Sequence, residues 1–193
     1  MKSVKIFLLF LLACSCNESK EIIIQEIPKN YVLKSAEKIT VKNDVVFLNE
    51  KKYEGFLYEL SPSKDTILIE GYLNGLLSGV CKKWFPNGQL MEERHYLNGQ
   101  KNGKQVSFWQ NGNKRFEFIA KNDAYEGELK EYGENGHLFH LAKYVNGQEE
   151  GTQKMWYDNG KIRANYVIKK GKRYGLLGTK NCKNVSDSIF VIK

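Results

Sequence analysis

From Tyr53 onward, apolar and polar residues alternate along short segments, and each segment ends at a turn-forming pair. Alternation of this kind sets one row of side chains on each side of a strand. No stretch between turns is long enough to carry the 3.6-residue period of a helix. Gly55, Gly79, Gly103, Gly127, Gly151 and Gly175 follow one another at an interval of 24 residues without insertion or deletion. Nine residues later in each unit comes a second series, Asn87-Gly88, Asn111-Gly112, Asn135-Gly136 and Asn159-Gly160. A third series closes the units with Asn74-Gly75, Asn98-Gly99, Asn122-Asp123, Asn146-Gly147 and Lys170-Gly171. Asn-Gly between alternating segments signals a hairpin, because both central residues of a type I′ turn need positive φ. Each unit is therefore read as two strands joined by such turns. The expected fold is all-β, an up-and-down antiparallel array of stacked β-hairpins in one elongated sheet. One hairpin is marginal alone, so units must stack to bury their faces.

Two columns supply the expected core stripe. Five residues after the leading glycine stand Leu60, Trp84, Phe108, Tyr132 and Trp156, and near the end of the second strand stand Tyr72, Tyr96, Ala120, Tyr144 and Ile168. Aromatic and branched cross-strand pairs stabilise sheets. Lys82, Lys130 and Lys154 between them belong to a solvated face. Phe85, Trp109 and Tyr157 lie just past the first column, so alternation turns them to the opposite face, either as a row that reads a ligand or as residues partly buried by sheet curvature.

Tyr53-Glu54-Gly55, Tyr125-Glu126-Gly127 and the run from Gly151 to Tyr157 followed by Asp158-Asn159-Gly160 resemble MORN repeats in the bacterial variant form. The resemblance covers Tyr53 to Gly175. It implies rows of β-hairpins in an elongated, curved sheet that serves as scaffold or docking module, with phospholipid binding proposed for some members and an antitoxin label on some bacterial variants. Asp123 in place of the closing glycine, and Ser61-Pro62-Ser63-Lys64-Asp65 in place of the first Asn-Gly turn, depart from the pattern.

The array, taken as residues 38–178, needs atypical end units. Val45 to Leu48 reads as the last strand of a leading cap, pairing with Ile39 to Val41 through a turn at Asn43-Asp44. Residues 14–37 form a tether and N-terminal segment, within which Ile22-Ile23-Ile24 is either a buried strand or tether. Residues 179–193 form a closing cap, with Ser186 to Lys193 as its strand. Cys81 and Cys182 fall four units apart, roughly 40 Å at about 10 Å per two-stranded unit. A disulfide tolerates a Cα separation of at most about 7 Å, so two free thiols are expected.

Residues 1–13 read as a secretory signal, with Lys2 and Lys5 before the apolar run Ile6 to Ala13. That run is too short for a bilayer core, which takes about 20 helical residues. Leu11-Leu12-Ala13-Cys14 resembles a lipobox, which makes Cys14 the favoured lipidated residue and Cys16 the alternative. The acidic mark that resembles inner-membrane retention does not follow either cysteine. The expected address is therefore the bacterial cell envelope, at the outer membrane.

Charge adds one asymmetry. The chain carries 30 Lys+Arg against 22 Asp+Glu, a formal +8. Residues 161–193 hold nine of the bases and one acid, Asp187. Lys169, Lys170, Lys172 and Arg173 at this end are candidates for anionic headgroups, or are simply a solvated terminal unit. An exported chain is a poor nucleic-acid partner despite its basic charge.

No convergent catalytic set emerges. His137 and His140 are three apart, a helical spacing that a strand splits between its faces, so no metal site is expected. His95 is solitary. Glu92-Glu93 and Glu149-Glu150 diverge for the same reason or sit in turns. Gly75-Leu76-Leu77-Ser78-Gly79 misses the nucleophile-elbow spacing. Gly171-Lys172-Arg173-Tyr174-Gly175 lacks the helix that would hold an anion. Asp65-Thr66-Ile67 and Asp187-Ser188-Ile189 look like short O-glycosylation acceptors of Bacteroidota exported proteins. The sequence thus points to a non-enzymatic, lipid-anchored envelope protein without cofactor, docking a protein or glycan. The alternative is a module for anionic phospholipid. An antitoxin role rests on the family label, and an export signal argues against it.

Overall fold

The structure, a computed structural model, describes residues 26–178. Its strands in chain order are β1 (Tyr31–Leu33), β2 (Ile39–Lys42), β3 (Val45–Leu48), β4 (Lys51–Lys52), β5 (Gly55–Leu60), β6 (Thr66–Leu73), β7 (Leu76–Leu77) and β8 (Gly79–Trp84). They continue with β9 (Leu90–Leu97), β10 (Gln100–Phe108), β11 (Lys114–Lys121), β12 (Ala124–Tyr132), β13 (Leu138–Val145), β14 (Gln148–Trp156), β15 (Ile162–Lys169) and β16 (Lys172–Leu176). From β5 to β16 the strands follow one another antiparallel in a single open sheet, with β7 a short addition beside β6. The up-and-down hairpin array is thus observed, with no helix among the described residues. The signal segment, Cys14, Cys16, Ile22 to Ile24, Cys182, Asp187-Ser188-Ile189 and the strand expected from Ser186 to Lys193 lie outside the described residues.

Two turn chemistries drive the period. The closing pairs are type I′ turns. Asn74, Asn98 and Asn146 all take φ near +50°, each followed by a glycine with φ between +78° and +84°. Asn122-Asp123 and Lys170-Gly171 keep the same geometry, with φ of 50° and 65° and of 52° and 72°, so the departures from glycine and asparagine leave the hairpins intact. The second series is not type I′, contrary to expectation. Gly88 takes φ +83° while Asn87 stays outside the left-handed region. Phe85 N–H donates to Gln89 O, and Gly88 N–H to Phe85 O. Asparagine is chosen here for its side chain: Asn87, Asn111, Asn135 and Asn159 each accept, through Oδ1, the N–H of the residue two further on. In the first unit Lys64, at φ +70°, takes the glycine slot, and Ser61 Oγ accepts Asp65 N–H.

Register places the side chains. Every hairpin has an extra residue near its second-series turn, as where Glu131 pairs His140 but Tyr132 pairs Leu138. The leading glycines also sit at bulges, with register breaks opposite Gly103, Gly127 and Gly151. The residue two after each leading glycine is the most buried of its strand: Leu57, Cys81, Gln105, Leu129 and Gln153. Their face, called the front, also carries Tyr72, Tyr96, Ala120, Tyr144 and Ile168, as the pairs Gly55 with Tyr72 and Gly151 with Ile168 require. The first expected column falls on the back. Trp84, Phe108, Tyr132 and Trp156 stand an odd number of residues from the buried slot, beside Lys82, Lys130 and Lys154, and Leu60 is exposed. The core stripe expected from two columns is therefore corrected to a front stripe alone, in which glutamine and cysteine occupy core slots.

Gln105 Nε2 donates to His95 O at 2.9 Å and Gln153 Nε2 to Lys143 O at 2.9 Å, two units apart. The Oε1 atoms of both are buried with no protein partner. Because Leu129 fills the equivalent slot of the intervening unit, Gln105→Leu should keep stability within about 1 kcal/mol of wild type, one hydrogen bond offsetting one unpaired acceptor. Gln105→Ala, which leaves the volume empty, should cost about 2 kcal/mol or more. Urea denaturation of both variants checks the difference.

At the N-terminal end the front is covered. Asn43 and Asp44, with φ of 48° and 61°, join β2 to β3 as expected, and β2, β3 and β4 make a separate three-stranded sheet. Val46 and Tyr53 pack there with Leu57 and Tyr72, supported by Val32, Ile39, Leu48 and Leu77. β1, unforeseen within the N-terminal segment, adds to the edge parallel to β5, with Tyr31 stacked on Phe56 at 5.1 Å. Beyond the small sheet, from β9 onward, the front lies open.

Candidate functional site

The open front is floored by rings. Phe116 and Phe118 alternate with Glu117 along β11 and so share the front, where Gln105 pairs with Phe118. Tyr125 comes from the start of β12 opposite Ala120, and Tyr144 from β13 opposite Gly127. Ring centroids are 5.8 Å apart for Phe116 and Phe118, 4.7 Å for Phe118 and Tyr125, and 4.9 Å for Tyr125 and Tyr144. Contacts at these separations add to simple area burial. The Arg94 guanidinium caps the row, 4.7 Å from the Phe116 centroid, and is steadied by Glu92 at 3.2 Å. A groove of about 450 Å³ runs over Phe116, Phe118 and Tyr125, bordered also by Lys101, Trp109, Arg115 and Leu129, while Tyr144 continues the row beyond it.

Strands fix the rest of the rim. Trp109 heads its turn, its Nε1 donating to Tyr132 O at 2.9 Å, and the Arg115 guanidinium lies 4.9 Å above its ring. Arg115 is the extra residue of its hairpin, which is why it comes to stand over Trp109. Glu131 in the groove is engaged by His140 Nδ1 at 2.7 Å. His137, by contrast, is exposed in its turn, so the two histidines do not converge. Glu92 and Glu93 also diverge. Glu92 serves Arg94 on the front, and Glu93 serves Lys82 and His95 on the back. Hydrogen bonds from Lys82 and His95 hold the Glu93 carboxyl below its usual range despite partial burial. On the back as well, Lys114 and Tyr132 bond Glu117 and depress its carboxyl.

Of the residues singled out in the sequence, Trp109 borders the groove, Phe85 is half-buried one unit earlier, and Tyr157 is exposed two units later with Arg163 5.9 Å from its centroid. They do not form one contiguous row; the contiguous row is Phe116, Phe118, Tyr125 and Tyr144. The basic end also divides. Arg173 faces front, 3.4 Å from Glu149 and 5.5 Å from the Tyr166 centroid. Lys169 and Lys172 pair with each other on the back, beside Val167 and Tyr174, and Lys170 occupies the turn between them.

This arrangement suits binding. Cys81 is a free thiol, and burial pushes it up to about 12, far from a reactive thiolate. Burial and the neighbouring Glu70 carboxylate likewise raise the Tyr72 hydroxyl. Rings, guanidinium groups and a shallow groove on strands are the groups that binding surfaces are commonly built from.

The fold therefore defines a β-hairpin repeat protein. The sequence model of the MORN repeat variant matches residues 77–98, 125–146 and 149–167, so these three segments are similar to repeats that are known in binding and scaffold-like proteins and are generally non-catalytic. No curated protein matches the chain. The matched segments cover the hairpins β8–β9, β12–β13 and β14–β15, and the groove's own hairpin β10–β11 lies between them.

Proposed function

We propose that this chain is a non-enzymatic docking module, lipid-anchored at Cys14, or alternatively Cys16, to the outer membrane of a bacterial envelope, whose array presents a surface to a protein or glycan. The ring row under Arg94 carries the reading. A fold gains nothing from leaving Phe116, Phe118 and Tyr125 in an open groove with Tyr144 beside them, whereas aromatic and arginine side chains dominate the energetics of docking sites. The anchor rests on the signal-like pattern around Leu11-Leu12-Ala13-Cys14.

A second reading, a module for anionic phospholipid, is favoured by Lys169, Lys170 and Lys172 around Val167 and Tyr174 at one end of the back face. Each lysine near such a surface is worth about 1 kcal/mol. The full chain with Cys14→Ser and Cys16→Ser, sedimented with phosphatidylglycerol vesicles at low and high salt, separates the two. Docking predicts that the chain stays in the supernatant. Salt-sensitive pelleting that is lost on Lys169→Glu with Lys172→Glu would overturn docking in favour of the lipid reading.

A further inference from the structure

The groove beside Trp109 has a counterpart two units on. Tyr157 stands 48 residues after Trp109, Arg163 after Arg115, Gln153 after Gln105 and Leu177 after Leu129. The second groove, about 600 Å³, is lined by Met155, Tyr157, Arg163, Ala164 and Leu177, with Met155 and Ala164 paired on the same front face. Arg163 is again the extra residue of its hairpin and again lies over an aromatic ring. The intervening unit has Gly133 and Phe139 in these slots and makes no such pair. Single-unit repetition therefore does not explain the recurrence.

We infer that the front of the array grips an extended carboxylate-bearing polysaccharide at these two repeat-related sites, one around Trp109 and Arg115, the other around Tyr157 and Arg163. The inference rests on the docking reading and names its partner. Arg115 and Arg163 are both exposed, and among the described residues neither makes an ion pair. Each is thus a fixed guanidinium with its fork open to a carboxylate. The apolar wall beside each, the exposed Tyr125 ring in one groove and Leu177 in the other, accepts the C–H face of a sugar ring. Four strand spacings separate the sites, about 19 Å at about 4.8 Å each.

The direction of this track excludes a peptide held by its backbone. The grooves succeed one another across the strands, whose backbone groups are already spent on the ladder. A peptide laid along this path could not add as a strand, and it would need acidic residues spaced to match by sequence. A uronate polymer carries a carboxylate on every sugar, so it meets both arginines in any register.

Galacturonate oligomers titrated into the full chain test this. An oligomer of about ten residues, long enough to span both sites, should bind roughly 100-fold tighter than the dimer, because the second contact is intramolecular. Arg115→Gln or Arg163→Gln should each remove at least about 10-fold of the long oligomer's affinity while leaving the dimer within about twofold, since one site remains. Neither should move the thermal midpoint, and Lys170→Gln should leave all affinities unchanged. No binding, or binding indifferent to both arginines, would overturn the proposal. Poly-glutamate that binds as tightly with the same arginine dependence would assign the sites to an acidic peptide and overturn it too. If the oligomer fails while crosslinks from position 118, described below, persist, the polysaccharide is wrong and the docking face stands. If both fail, the docking reading falls as well.

Discussion

Gly55→Ala is expected to cost roughly 4 kcal/mol, combining backbone strain with the loss of hydrogen bonds at the sheet edge. At φ +143° an L side chain is disfavoured, and a Cβ there would stand 2.5 Å from Asn30 O and 2.7 Å from Tyr53 Oη. Both atoms belong to one clamp. Tyr53 Oη donates to Asn30 O at 2.9 Å, and Phe56 N–H donates to the same carbonyl at 2.6 Å, which fastens the segment leading into β1 against β5. The same substitution at Gly127 provides the control. Gly127 holds the equivalent position three units on, with φ +74° and nothing within 4 Å of the added atom. Only the left-handed conformation opposes alanine there, at about 1–2 kcal/mol. Urea midpoints of the two variants should differ accordingly, and Gly55→Ala should also expose the N-terminal segment to protease. Equal losses would mean that the β1 clamp contributes little.

Leu57→Ala is expected to cost about 3–4 kcal/mol, within the range for emptying a fully enclosed leucine site. Leu57 is 1% exposed because a second layer covers it: Val46 and Tyr53 from the small sheet side, Tyr72 beside it. Leu129 occupies the same repeat slot at 8% exposure without that second layer. Leu129→Ala should therefore cost about 2 kcal/mol, since neighbouring side chains on an open face can settle into the space. Because stability in such arrays sums over units and their interfaces, the Leu57 variant should loosen β1 to β6 before the rest. Hydrogen exchange resolved along the chain reads this as lost protection at the N-terminal end, with β12 to β15 unchanged.

Much of this architecture was legible in the sequence because the turns demand particular residues. Positive φ at Asn74, Asn98 and Asn146, and the Asx role of Asn87, Asn111, Asn135 and Asn159, write the period into the chain as asparagine and glycine. What the period could not show was phase. Counting five residues from the leading glycine lands on the back, and only the extra residue near each second-series turn, such as Arg115 or Arg163, reveals that this column and that of Tyr72 face opposite sides. Cys81, Gln105 and Gln153 escaped as core residues because their side chains read as polar, although they fill the slot that Leu57 and Leu129 fill.

The ring row was hidden for a related reason. The repeats place His140 and Ala164 in the slot of Phe116, and Arg94, Ala142 and Tyr166 in that of Phe118, so no column announces it. Trp109 was found from alternation alone, and it does border the groove. β1 left little signal, being three residues long and parallel to a strand more than twenty residues away.

The central claim, that the front ring row is the docking surface, is tested most directly by photo-crosslinking in intact cells. A benzophenone amino acid is placed at Phe118 on the front, or at Ile119, which is 45% exposed on the back. Adjacent residues on one strand face opposite sides, so the pair samples the two faces at one place in the array. The account predicts a defined adduct from position 118 that is lost on Arg94→Ala, and none of comparable yield from position 119. An adduct from position 119 alone, or only from lipid, would contradict it.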